Sequence, residues 1–207
     1  MARLAARVPD ARLIALPADL RDEGAAVSLI DRMTAGAGRI DAVVHCAIAG
    51  VSGVTGPFAA TDPAAYGALA VQVVGGFQAL CHAALPALAA AGGGAIVGFA
   101  ADSGRFAAPR QSVMAGAYAG IMSFVRNLAV EVARDGVRVH CIAPTFVDET
   151  PIFEAFGRGG RGDAARARAG LGLPTPADIA PLVLFLCGPG AARITGQVVS
   201  VNGGLNA

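Results

Sequence analysis

Short, nearly unbroken apolar runs alternate along this chain with longer stretches whose apolar residues recur every three or four positions. That alternation restricts the possible folds more than any other feature of the sequence. The strand-like runs are 12–16 (RLIAL), 41–46 (DAVVHC), 95–100 (AIVGFA), 137–143 (VRVHCIA) and 196–201 (GQVVSV). Between them, 23–36 carries Val27, Ile30 and Met33 on one helical face. The stretch 63–91 predicts a long helix that kinks or ends near Pro86. The stretch 110–135 predicts another, with Gly136 as its stop. Residues 176–188 predict a helix with a proline at its start. Continuous apolar strands separated by helices imply an α/β fold with a parallel sheet of about five strands. Residues 144–175 read as an irregular Gly/Arg-rich lobe. With no internal repeat and no second composition zone, 1–207 reads as one domain.

Composition narrows the function classes. Hydrophobic residues make up 55% and charged residues 15%, which implies extensive burial, including a subunit interface. The net charge of +1, without a basic run, gives nothing to attract nucleic acid or an anionic membrane. The apolar stretches are interrupted by charges, glycine or proline, so none reads as a membrane span. Cys46, Cys81, Cys141 and Cys187 are scattered without a C-x-x-C pair and read as small buried hydrophobes, not metal ligands. The N-terminus has no apolar signal core, and the cytoplasm is the expected location. All 16 basic residues are arginine; the chain has no lysine.

Several ordered features resemble the short-chain dehydrogenase/reductase family. Asp19 follows the first strand-like run. DAVVHCA stands where the family has a strand ending in Asn-Asn-Ala-Gly. VRVHCIAPTFVDETP resembles its strand-Pro-Gly-Thr segment, and ITGQVVSVNGG its closing Thr-Gly…Asp-Gly-Gly. The resemblance implies a three-layer Rossmann-like fold and nicotinamide-dependent chemistry. The family opens with a strand and a Gly-x-x-x-Gly-x-Gly turn that brings a helix N-terminus to the dinucleotide phosphates. No such turn occurs here, so the expectation is a fold lacking the first β-α-β unit, with no cofactor and no metal. The one Gly-x-Gly-x-x-Gly match, Gly157, Gly159 and Gly162, follows IFEAF instead of a strand, the wrong context for a phosphate loop.

The family's catalytic positions map onto Gln72 (its Asn), Ala101 (its Ser), Met114 (its Tyr) and Tyr118 (its Lys). The Ala101-to-Met114 spacing matches the family's Ser-to-Tyr spacing. The chemistry needs a phenol that gives up its proton near neutral pH. A phenol titrates near 10 and requires a neighbouring cation to do so. In the alternative frame, with Tyr118 itself as acid/base, the residue one turn on is Met122. Tyr118 therefore has no activating lysine in either frame and reads as a polar-tipped core aromatic.

Other groups fall at the carboxyl ends of strands, where ligands bind in open α/β sheets. They are His45 and Cys46, Asp102 and Ser103, and Asp148 and Glu149. These residues form either a re-invented acid/base cluster, with His45 or Asp102 as the titrating group, or solvated and helix-capping loop residues. His82 and His140 read as structural. Gly75, Gly76, Gly116 and Gly120 allow close helix packing, or reflect an Ala/Gly-rich background. Without the first unit, 12–16 is expected to move beside 41–46. Helices would then lie mostly on one sheet face, leaving the other to 176–188 and the N-terminal turn.

Three readings follow. The first is a pseudoenzyme: a non-catalytic subunit in a homo- or hetero-oligomer with an active paralogue, in acyl-thioester metabolism. The second is an enzyme doing non-redox chemistry, such as isomerisation, cyclisation or hydration, in a pocket lined by Gln72, Met114, Tyr118, Phe146, Phe153 and Phe156. The third is a shortened version of a nicotinamide-dependent oxidoreductase whose cofactor loop lies upstream.

Overall fold

The strand-like runs after residue 40 pair as expected, and the run before it does not. A computed structural model describes residues 2–47, 51–156 and 160–206. Strands β1 (Ala42–His45), β2 (Gly94–Phe99), β3 (Val137–Pro144) and β4 (Val198–Val201) form a parallel sheet in sequence order. Val43 pairs with Ile96, Ile96 with Val139, and Cys141 with Val198.

The sheet has four strands among the described residues, not about five, and β1 is its edge. Residues 12–16 run outside it, against helix α2 (Ala25–Ala37). Arg12 donates to the Gly36 carbonyl at 2.8 Å, and Arg32 donates to the Pro17 carbonyl at 3.3 Å. The Ile14 methyl lies 3.4 Å from where a Cβ on Gly36 would sit. A strand obtains its hydrogen bonds from a neighbour, so an apolar run specifies a strand only where an edge is within reach. Here side-chain contacts to α2 hold the run elsewhere.

The remaining helices are α1 (Ala2–Arg7), α3 (Pro63–Ala90), α4 (Ser112–Glu131), α5 (Pro151–Phe156), α6 (Arg161–Arg168) and α7 (Pro176–Cys187). α3 does not end at Pro86. It runs on to Ala90 because Ala84 and Leu88, on either side of the proline, are fully buried in the core. Its irregularity is a π-helical segment at Ala70–Gly75. The 144–175 lobe is less irregular than its composition implied, since it holds α5 and α6. Gly162 lies in α6, whereas Gly157 and Gly159 lie outside the described residues. Gly136 closes the α4 connection at φ 73°, as a left-handed stop.

α7 is secured at both ends. The Asp178 carboxylate accepts from the Thr175 N–H and hydroxyl, each at 2.8 Å. Arg138 on β3 donates to the carbonyls of Leu186 (2.5 Å), Cys187 (3.3 Å) and Gly188 (3.2 Å). Those are last-turn carbonyls that the helix leaves without partners.

The two sheet faces are covered unequally. α2, α3 and α4 share one face, around Phe77, Leu88, Ile96, Ile121, Met122 and Val125. On the other, α7 supplies Ile179 and Leu186 against Val97 and Ile142. Of the four small-residue positions, Gly76 makes a close approach, with a Cβ there lying 3.2 Å from Leu20 Cβ, while Gly116 faces open space. α3 and α4 are apolar and long enough to cross a bilayer, with mean hydropathy 1.5 and 1.3. Both carry core residues onto the sheet, which is ordinary for interior helices of an α/β layer.

Candidate functional site

α4 packs against both the π segment of α3 and the 3₁₀ turn Asp102–Gly104 after β2. That packing gathers the elements bearing Gln72, Ala101, Met114 and Tyr118 into one corner. The approach of turn to helix is close, because a Cβ on Gly104 would lie 2.8 Å from the Ala119 nitrogen. Gln72 lies within the π segment, a distortion that recurs at functional positions. Ala101 and Met114 are half-buried against the main core. The Tyr118 ring is 9% exposed, and burial pushes its phenol above the ordinary value near 10. The side chains of Ala101 and Met114 carry no exchangeable proton, and the chain has no lysine ammonium to help the phenol.

Among the described residues, His45 and Asp102 share no hydrogen bond. His45 is 3% exposed and lies with its ring centroid 5.2 Å from that of Phe77. Its Nδ1 has no partner among the described residues, and desolvation lowers its pKa. Asp102, 1% exposed, is engaged elsewhere. Its Oδ1 accepts from Ser200 Oγ at 2.5 Å and its Oδ2 from Asn202 Nδ2 at 2.5 Å. Asp148 is bound by Arg166 at 2.9 Å, and that guanidinium lowers its pKa. Glu149 beside it has a left-handed backbone, φ 60°, which is uncommon outside glycine. Cys46 is exposed, and Ser103 Oγ is buried without a partner. No group of three or more His, Cys, Asp or Glu is placed to hold a metal among the described residues.

Of the aromatic lining, Phe146 and Phe153 pack edge to face at 5.8 Å, and the Arg166 guanidinium sits 4.6 Å over Phe153. The side chain of Phe156 lies outside the described residues. Two clefts occur away from this corner. One, of about 640 Å³, lies between α2 and α3, beside Val27, Thr34 and His82. The other, of about 250 Å³, lies at the amino ends of the strands, beside Gly94 and Arg138.

A dinucleotide needs a crevice with a strand on either side and a glycine turn at a helix N-terminus. Among the described residues no strand lies outside β1, and the sequence contains no Gly-x-x-x-Gly-x-Gly. The residues present do not fit that group.

Sequence reasoning missed the partners of Asp102. Ser200 and Asn202 are 98 and 100 residues away, and no local pattern links them. One signal was present: Asn202 stands where the resembled family's closing motif has Asp.

A family model described as Enoyl-(Acyl carrier protein) reductase matches residues 1–206. The chain is 33% identical over 192 residues to cis-4-hydroxycyclohexanecarboxylate dehydrogenase of Sinomonas cyclohexanicum, covering 91% of this chain and 75% of that one. It is 34% identical over 136 residues to a 3-oxoacyl-(acyl-carrier-protein) reductase of Chlamydia trachomatis. That match covers 64% of this chain and 53% of the relative, so the chain spans about half the length of that protein. Among solved structures, a short-chain dehydrogenase/reductase from Burkholderia xenovorans superposes with a TM-score of 0.85 at 28% identity. The superposition covers 99% of this chain and 79% of that one.

Proposed function

The chain belongs to the short-chain dehydrogenase/reductase family, and on that premise we propose that it is a non-catalytic subunit supporting an active dehydrogenase/reductase paralogue in an oligomer. One observation carries this reading. The phenol nearest the family's proton-transfer position, Tyr118, is buried with its ionisation pushed up, in a chain without lysine. Without a cation the phenol holds its proton at neutral pH. Ala101 and Met114 offer no replacement. The unequal cover of the sheet supports an assembly, since parallel sheets are normally buried on both faces. Acyl-thioester metabolism is the favoured setting, because the family model and one relative are named for acyl-carrier-protein reductases. The cytoplasm is the favoured location.

The test is co-purification from the native source, followed by native mass spectrometry with NADH and NADPH titrated in. The expected result is a complex with a second family member, with nicotinamide bound in proportion to that partner. Oxidation of an alcohol by the purified chain alone, or a lone monodisperse monomer, overturns the reading.

His45 favours a second reading, repurposed non-redox catalysis. It is a buried imidazole with an unpartnered Nδ1, held toward its neutral form at the carboxyl end of a strand. Loss of a measured isomerase, cyclase or hydratase activity in His45→Gln, with the fold intact, is the result this reading requires.

A further inference from the structure

We infer that Asp102 is a clasp, holding the C-terminal segment and the lobe after β3 onto the carboxyl edge of the sheet. The carboxylate is buried, and a buried polar group is stable only with its hydrogen bonds made. Both of its oxygens reach the same distant segment, through Ser200 Oγ and Asn202 Nδ2 at 2.5 Å each. Arg105 reinforces the grip from the same loop, donating to Ser200 Oγ at 3.1 Å and the Val198 carbonyl at 3.2 Å.

From Asn202 the connection runs on in two directions. Its Nδ2 donates to the Asn206 carbonyl at 2.6 Å, and its Oδ1 accepts from the Gly204 N–H at 2.9 Å. These bonds curl the tail into a turn. The next residue, Gly203, accepts from the Leu171 N–H at 2.9 Å. Here turn and lobe touch backbone to backbone. Gly203 has φ 62°, and a Cβ on it would lie 1.7 Å from the Gly172 carbonyl oxygen. Asp102, Asn202, Gly203 and Leu171 thus form one line from the loop after β2 to the lobe containing α6.

The resembled family closes with Asp-Gly-Gly, while this chain has Asn202-Gly203-Gly204. An amide at 202 can donate, and Asp102 supplies the acceptor from across the edge. On this inference the residue after Ala101 is a positioning residue that fixes the corner.

Backbone amide exchange tests the clasp in the full chain, with the Leu171 and Gly204 amides as reporters. Asp102→Asn and Asn202→Asp are each expected to accelerate exchange at both reporters at least tenfold, while β2 and β3 amides stay protected. The exchanged pair Asp102→Asn/Asn202→Asp restores one acceptor facing one donor. It is expected to protect both reporters better than either single change, though incompletely, because the bond to the Asn206 carbonyl is lost. Ser200→Ala, a milder change, is expected to give an intermediate acceleration and serves if a single variant does not fold. Unchanged reporters in the variants, acceleration spread evenly over the sheet, or a pair no better than the weaker single overturns the inference.

Discussion

Val44 on β1 and Val97 on β2 are direct register partners on one face of the sheet, yet Val97 is fully buried and Val44 is 41% exposed. α7 reaches the second strand and stops short of the first. The pair marks where cover ends on the thin side of the molecule. Leu184 and Phe185 on α7 are exposed as well.

The contrast predicts opposite responses. Val97→Ala leaves a hole in a closed cluster and is expected to cost roughly 2 kcal/mol in urea unfolding. Val44→Lys is expected to change stability by no more than about 0.5 kcal/mol, since exposed sites tolerate substitution. It should also reduce self-association measured by light scattering, as a charge on an edge strand does. Equal costs at the two positions contradict the assigned edge.

Tyr118 titrates late. The chain has two tyrosines, so Tyr66→Phe isolates it. Absorbance at the phenolate band is expected to rise with a midpoint above the ordinary value near 10, in the direction burial dictates. A midpoint below that value shows a cation beside the ring and removes the main support for a non-catalytic subunit.

His140 makes the fold acid-sensitive. His140 is fully buried; desolvation, and then the Arg138 guanidinium 3.4 Å away, lower its pKa to about 4. The unfolded chain binds that proton more readily, since its histidine titrates near 6.5. Stability is therefore intact above about 6.5 and is lost as pH falls toward about 4. At about 1.4 kcal/mol per unit the loss from this residue has a ceiling of about 3.5 kcal/mol. Urea unfolding at a series of pH values, with His140→Asn as control, measures it; the control is expected to show the shallower slope.

Gly98 has no room for a methyl group. A Cβ there would lie 2.5 Å from Phe77 Cζ, and the ring is buried to 1% exposure. Gly98→Ala is expected to cost about 1–3 kcal/mol. Phe77→Leu should cost less in the Gly98→Ala background than in the original chain. Additive costs in that double-mutant cycle contradict the contact.

Legibility in the sequence followed the range of the interactions. β1, β2 and β3 and the helices between them were readable because periodicity and burial coincide over a few residues. The run 12–16 carries the same local signal and forms no strand. The π turn at Ala70–Gly75 and the passage of α3 beyond Pro86 depend on what α3 packs against. At the candidate site, spacing singled out Ala101, Met114 and Tyr118, whereas it carried no sign of the bonds from Asp102 to Ser200 and Asn202. Residues 98 and 100 positions apart meet only through the order of the strands.

By itself the sequence determined which chemistry is open to the chain. Side-chain types are covalent facts, and a chain without lysine has no ammonium side chain to set beside a phenol wherever it folds. The tertiary structure decided which apolar run joins the sheet, which valine is covered, and which partners a buried carboxylate meets. Those outcomes depend on the neighbour each group finds, and neighbours are assigned by packing between segments remote along the chain.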